Sequence, residues 1–185
     1  MKYRTDFVTN SSSSNFILNI SFNLISGERI EFEAYGGSDE SGRVDYFDDN
    51  AIVEVSPKQL GNAKNVNEMI QMLADGVTDG DEGVKIFEAS RPMQADFGSG
   101  IYDAYDFIKK IREKISSMDQ IEEITISGNE ENYMCYYRTY RYNLKTKEYT
   151  GTQEGHWFEC DGSSGGDLRL SDLNSCKIEN IDDEN

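Results

Sequence analysis

Phe16-Ile17-Leu18-Asn19-Ile20-Ser21-Phe22-Asn23-Leu24 decides the fold, because from Leu18 onward a large apolar side chain follows every small polar one. Successive side chains of a strand point to opposite faces, so Phe16, Leu18, Ile20, Phe22 and Leu24 line one face and Asn19, Ser21 and Asn23 are among those opposite. Ile25-Ser26-Gly27-Glu28 carries turn chemistry, and Arg29 to Tyr35 alternates again with Ile30, Phe32 and Ala34 facing one way. Two alternating runs around a short glycine-containing turn predict a β-hairpin and hence an antiparallel start.

Downstream of the hairpin, Gly36 to Asn50 is rich in Gly, Ser and Asp, which reads as a mobile surface loop ahead of a short strand over Ala51 to Val55. Asn65 is placed to cap a helix with Glu68 as its capping-box partner. Val66, Met69, Ile70 and Leu73 then repeat at helical spacing until Asp75-Gly76. A longer helix follows, with Ile101, Ala104, Tyr105, Ile108, Ile111, Ile115 and Met118 as its apolar stripe and Lys109, Lys110, Glu113 and Lys114 off it. Ser99 is read as the cap of this helix; Gly98-Ser99-Gly100 has the look of an anion-binding helix start, but Asp103 and Asp106 would repel an anion there.

The remaining chain reads mostly as sheet. Ile121 to Ser127 is a strand that turns at Gly128-Asn129, and Tyr133 to Tyr142 and Lys147 to Gln153 form a hairpin around Asn143 to Thr146. A last short strand includes Trp157 and Phe158. The order of elements predicts an α+β domain: an antiparallel sheet built from hairpins with two helices packed on one face. Residues 1–15 form a Ser-rich leading segment, 16–160 the single domain, and 161–185 a flexible acidic tail.

Composition narrows the function classes. The chain has 185 residues, with 35 acidic side chains against 18 basic and a formal charge of -17. That balance disfavours approach to polyphosphate or an anionic bilayer and favours a basic protein surface. Three cysteines, Cys135, Cys160 and Cys176, form neither a disulfide framework nor a zinc pattern. The N-terminus has no apolar segment of signal-peptide type, and no apolar run reaches membrane-spanning length, so a cytoplasmic protein with no membrane partner is expected.

Ahead of the first strand, Arg4-Thr5-Asp6-Phe7-Val8-Thr9-Asn10-Ser11-Ser12-Ser13-Ser14-Asn15-Phe16 encloses a serine run between aromatic residues. Its hydroxyls and amides bond neighbouring backbone groups, so it should make a compact turn array feeding the sheet. Over residues 3–16 it resembles the opening of a scattered group of small proteins from low-GC Gram-positive bacteria and their mobile elements. The departure is Asn15, where that pattern usually has another serine. The resemblance implies a bacterial or phage origin, and it transfers no activity and no catalytic residue.

Four constellations carry the candidate chemistry. Tyr136, Arg138, Tyr140 and Tyr142 alternate on one strand face with Tyr149 on the next, a set suited to anchoring a protein interface, to stacking bases, or to plain sheet packing. Asp75, Asp79, Asp81 and Glu82 lie in a Gly-rich stretch where carboxylates could gather a hard cation such as calcium or magnesium, without the EF-hand pattern; the acidic loop Asp39 to Asp49 is a weaker case. His156 and Cys160 share a strand face but stand about 13 Å apart at strand spacing, too far for a nucleophile pair. No Walker or Rossmann pattern is present.

No cofactor is expected. The reading these features favour is an acidic protein-interaction module of bacterial or phage origin, binding a basic partner and in one version acting as a nucleic-acid mimic or inhibitor of a host nuclease or defence protein. Direct nucleic-acid binding is not expected. The alternatives are a small enzyme with a carboxylate or metal-dependent site, and a structural or regulatory domain whose acidity serves solubility.

Overall fold

The computed structural model describes residues 16–38, 44–45, 51–79, 84–87, 98–132, 134–155, 167–168 and 176–181. In chain order its elements are β1 (Phe16–Leu24), β2 (Arg29–Ser38), β3 (Val44–Asp45), β4 (Ala51–Val53), α1 (Pro57–Gly61), α2 (Val66–Gly76), β5 (Val77–Asp79), β6 (Val84–Lys85), α3 (Gly98–Lys114), β7 (Ile121–Asn132), β8 (Met134–Asn143), β9 (Tyr149–Gly155), β10 (Asp167–Leu168) and β11 (Lys177–Ile181). The chain is α+β.

The opening hairpin forms as its alternation dictates. β1 and β2 pair antiparallel with Phe22 opposite Ile30, Ile20 opposite Phe32 and Leu18 opposite Ala34. Gly27 takes φ 85, a conformation glycine adopts without a Cβ penalty, and the turn closes with the Leu24 N–H donating to the Glu28 carbonyl at 2.8 Å. On the other side of β1, β7 sets Ile126 opposite Ile20 and Ile124 opposite Phe22, so three strands share one apolar face.

The order β11-β9-β8-β7-β1-β2-β3 makes a seven-stranded sheet, and β10-β4-β5-β6 a four-stranded one. Neither is purely antiparallel. β11 runs parallel to β9, and β10 parallel to β4, because each returns from a distant part of the chain rather than from a hairpin. The segment expected to be a flexible tail therefore contributes Lys177–Ile181 to the main sheet. The stretch Gly36 to Asn50 likewise holds the end of β2 and β3.

Three local expectations are corrected. Gly128-Asn129 is not a turn: β7 continues to Asn132, with Gly128 opposite Leu18 on one side and Arg138 on the other. Ladder pairing on both edges outweighs the turn preference of that dipeptide. Ser99 lies inside the first turn of α3 rather than before it. The stripe of α3 buries Phe107, whereas Tyr105 is exposed, and Met118 falls in a 3-10 turn beyond the helix.

Pro57–Gly61 is a helix that pattern reading passes over, since five residues carry no periodicity. Its start is nevertheless written in Ser56-Pro57-Lys58-Gln59. Ser56 Oγ accepts from the Gln59 N–H at 3.1 Å, Gln59 Oε1 accepts from the Ser56 N–H at 2.8 Å, and Pro57 occupies the first turn. At α2, Asn65 Oδ1 accepts from the Glu68 N–H at 3.0 Å as expected, while Glu68 Oε2 reaches the Lys64 N–H at 2.6 Å.

The core is aromatic at one end. Phe107 of α3 packs against Phe22 at 5.8 Å, Phe32 at 5.6 Å and Phe87 at 5.7 Å between ring centroids, and Phe32 meets Phe87 edge-on at 4.8 Å. At the other end Gly61 of α1 abuts the Tyr142 ring of β8. Among the described residues no helix is long and apolar enough to cross a membrane.

On the opposite side of β1, β7 and β8 stand Asn19, Ser21, Thr125, Ser127 and Thr139, small polar side chains that are nonetheless buried. Neighbours close over them: Asn23 Nδ2 donates to Glu123 at 3.1 Å, and the Tyr137 hydroxyl lies 3.1 Å from that of Ser127. Ser21 Oγ is the exception, buried with no hydrogen-bond partner among the described residues. A buried hydroxyl left unsatisfied costs free energy that an apolar group of the same shape does not. Ser21→Ala should therefore leave stability unchanged or raise it by up to about 1 kcal/mol in urea unfolding. A loss of that size instead would mean that the hydroxyl is bonded.

Candidate functional site

β8 alternates as its sequence indicates, placing Arg138, Tyr140 and Tyr142 on one face, with Tyr149 of β9 opposite Tyr142. That face is turned inward. Tyr140 is 0% exposed, Tyr142 3% and Tyr149 9%, so the three are core residues and not an exposed interface. The reason is register: Tyr140 stands opposite Ile126 and Tyr142 opposite Ile124, which fixes them on the apolar side of the sheet.

Their hydroxyls find polar partners. The Tyr142 hydroxyl lies 3.3 Å from Asn62 Oδ1, and Arg138 donates from its guanidinium to the Tyr140 hydroxyl at 3.4 Å and to Gln153 Oε1 at 2.8 Å. Burial pushes the Tyr140 phenol above its ordinary value despite the nearby Arg138 charge. Arg138 is half-buried in this network. The Tyr136 side chain lies outside the described residues; its backbone pairs with Glu130 and Gly155.

The candidate cation cluster does not assemble among the described residues. Asp75 sits in the last turn of α2, ion-paired to Lys85 and accepting from Gln71 Nε2 at 2.9 Å. Hydrogen bonds from Lys85 and Gln71 hold its carboxyl below the usual range, which describes a satisfied surface pair. Asp79 ends β5, so residues 75–79 are helix and strand where a loop was expected. The Asp79 side chain and all of Asp81 and Glu82 lie outside the described residues, as do His156 and Cys160. No group of three His, Cys, Asp or Glu side chains is placed to hold a metal among the described residues.

A different set converges at the edge of the sheet. Glu31 and Glu33 of β2, with Asp106 and Lys110 of α3, line an open cleft. Sequence alternation places the two glutamates on one strand face, and Asp106 and Lys110 are neighbours at i, i+4 on the exposed side of their helix. What brings β2 and α3 together is the core: Phe107, next to Asp106, packs on Phe32, which stands between the glutamates in sequence and points to the other face of β2. No local signal connects positions 75 residues apart.

The carboxylates are held in place by neighbours within the fold. Asn19 Nδ2 donates to Glu31 Oε1 at 2.9 Å and to Glu33 Oε1 at 3.2 Å, bridging the pair. Arg29 Nε meets the other Glu31 oxygen at 2.6 Å, and Lys114 of α3 pairs with Glu28 at 3.2 Å just beyond. Burial would raise the Glu31 carboxyl, but hydrogen bonding to Glu33 and Asn19 and the Arg29 charge bring it below its ordinary 4.5. A lowered carboxylate stabilises the fold above that ordinary value, and the contribution is lost as pH falls through the lowered one. At neutral pH Glu31 is ionised, so the cleft offers oxygen acceptors suited to an ammonium or guanidinium group. No family model, curated protein or solved structure matches the chain.

Proposed function

We propose that this chain is an acidic protein-interaction module of bacterial or phage origin that binds a basic protein partner, a lysine or arginine of which enters the cleft between β2 and α3. In this reading the helices cover one face of the sheet, and recognition belongs to the acidic edge rather than to the buried tyrosines. The observation that carries it is the Asn19-bridged pair Glu31 and Glu33, which with Asp106 lines an open cleft. The formal charge of -17 supports it by favouring encounter with a basic surface, including the nucleic-acid groove of a nuclease or defence protein that such a module would block. The origin rests on the resemblance of residues 3–16.

The test is titration of the full chain with a fluorescent arginine-rich peptide at two salt concentrations. Glu31→Gln/Glu33→Gln should weaken binding about tenfold, the equivalent of 1.4 kcal/mol, and flatten its salt dependence. Asp119→Asn/Glu122→Gln, which removes the same charge from exposed positions elsewhere, should change it far less. Equal loss in both variants would mean that net charge alone attracts the peptide and that the cleft has no part. Bridged carboxyls beside Lys110 also suit general acid–base chemistry. Turnover of a nucleotide or peptide substrate, abolished by the same double variant, would favour that second reading.

A further inference from the structure

β11 differs from the other strands of the main sheet in how it is held. It pairs with β9 from Lys177 opposite Thr150 to Ile181 opposite Glu154, and among the described residues its backbone lies chiefly against that one strand. It is an edge strand, and its parallel pairing is slightly weaker per residue than the antiparallel ladders beside it. β9 has its own antiparallel ladder with β8, from Tyr136 opposite Gly155 to Tyr142 opposite Tyr149, and Tyr149 belongs to the core from the β9 side. Among the described residues the rings of Phe22, Phe32, Phe87 and Phe107 pack on one another.

The strand begins at a fitted seat. Cys176, immediately before Lys177, is half-buried and packs against the core where Gly151 has no side chain. A Cβ on Gly151 would stand 3.0 Å from Cys176 Sγ and 3.3 Å from the Tyr140 ring, so the thiol fills the space that the glycine leaves. One small side chain thus sets where the strand docks, while a single ladder holds it.

We propose that β11 is a latch, a strand that leaves β9 as a unit while the core stays folded and so controls exposure of the Cys176 thiol and of the β9 edge. Proteins open in such sub-global units, and a five-residue edge strand held by one parallel ladder is a candidate for one. The inference is independent of the acidic cleft, which lies at the opposite edge of the sheet.

Hydrogen exchange of the full-length protein tests it, combined with peptide-resolved thiol labelling that separates Cys176 from Cys135 and Cys160. The expected result is that β11 amides exchange at least about a hundredfold faster than those of β7 and β8, and that Cys176 is labelled at the rate of β11 opening. Exchange of β11 only together with β7 and β8 overturns the proposal. A double variant separates a latch from a strand of the core. Successive N–H groups of a strand point to opposite sides, so Ile178→Pro/Glu179→Pro must remove at least one β11 donor to β9. A latch predicts about tenfold faster labelling of Cys176 with the main thermal transition moved by less than about 4 °C. A fall well beyond that makes β11 part of the core and ends the idea.

Discussion

Replacing Phe107 by alanine should cost about 3–5 kcal/mol in urea unfolding followed by circular dichroism, the range for deleting a fully buried aromatic ring. Phe107 is 1% exposed and touches Phe22, Phe32 and Phe87, so its loss opens a cavity bounded by rigid rings from β1, from β2 and from Phe87. Rings pinned on several sides collapse poorly into such a void, which places the cost toward the upper end. Tyr105→Ala provides the internal comparison. Tyr105 lies on the same helix but is 37% exposed, and its removal should cost less than about 1 kcal/mol. Equal costs for the two would put the helix in a different rotation about its axis. Because Phe107 seats α3 on Phe32, Phe107→Ala should also loosen the cleft and weaken peptide binding even where the protein remains folded.

That pair of substitutions marks where sequence reading reached its limit on α3. Ala104, Ile108, Ile111 and Ile115 repeat at helical spacing and are buried as read. The stripe read from the sequence includes Tyr105 and omits Phe107, yet the two flank it on either side and periodicity alone does not separate two aromatics one position away from Asp106. The choice is made by partners: three phenylalanine rings receive Phe107, while a tyrosine hydroxyl favours the wet boundary. The same ambiguity governed β8. Alternation correctly grouped Arg138, Tyr140 and Tyr142, but tyrosine fits either a wet or a dry face, and an arginine in the row suggests the wet one. Only the strand register, with Ile124 and Ile126 opposite, shows that this face is inward.

The hairpin β1–β2 was fully legible because both of its strands alternate and its turn holds a glycine. The parallel strands β10 and β11 were not, since each is paired by residues far along the chain and neither carries a local sign of its neighbour. The acidic cleft was half legible. Glu31 and Glu33 are visible as a pair on one strand face, and Asp106 with Lys110 as a pair on one helix face. Their meeting is a consequence of packing, and the carboxylates that looked most suggestive in the sequence, around Asp75, include one already satisfied by Lys85 and Gln71.

Gly61→Ala should destabilise the fold by about 1–3 kcal/mol, although alanine is the better helix former by about 1 kcal/mol. The opposing effect is steric. A Cβ on Gly61 would stand 2.5 Å from Cδ1 and 2.7 Å from Cε1 of Tyr142, and 3.3 Å from Cδ1 of Leu144. A loose side chain would swing away, but the Tyr142 ring is held: its hydroxyl meets Asn62, the Tyr149 ring packs edge-on at 6.2 Å between centroids, and Lys147 Nζ lies 6.0 Å from its centre. Either α1 lifts from the sheet or the tyrosine leaves its place, and both give up core contacts. The decisive measurement is a double-mutant cycle with Tyr142→Ala. Without the ring, alanine at position 61 first meets Leu144 Cδ1 at 3.3 Å, the far end of a flexible side chain, so its helix propensity dominates and the same substitution should become neutral or stabilising, a coupling of about 1–3 kcal/mol. Gly61→Ala that costs as much without the ring as with it would show that the glycine is required by the helix itself and not by the close approach of α1 to β8.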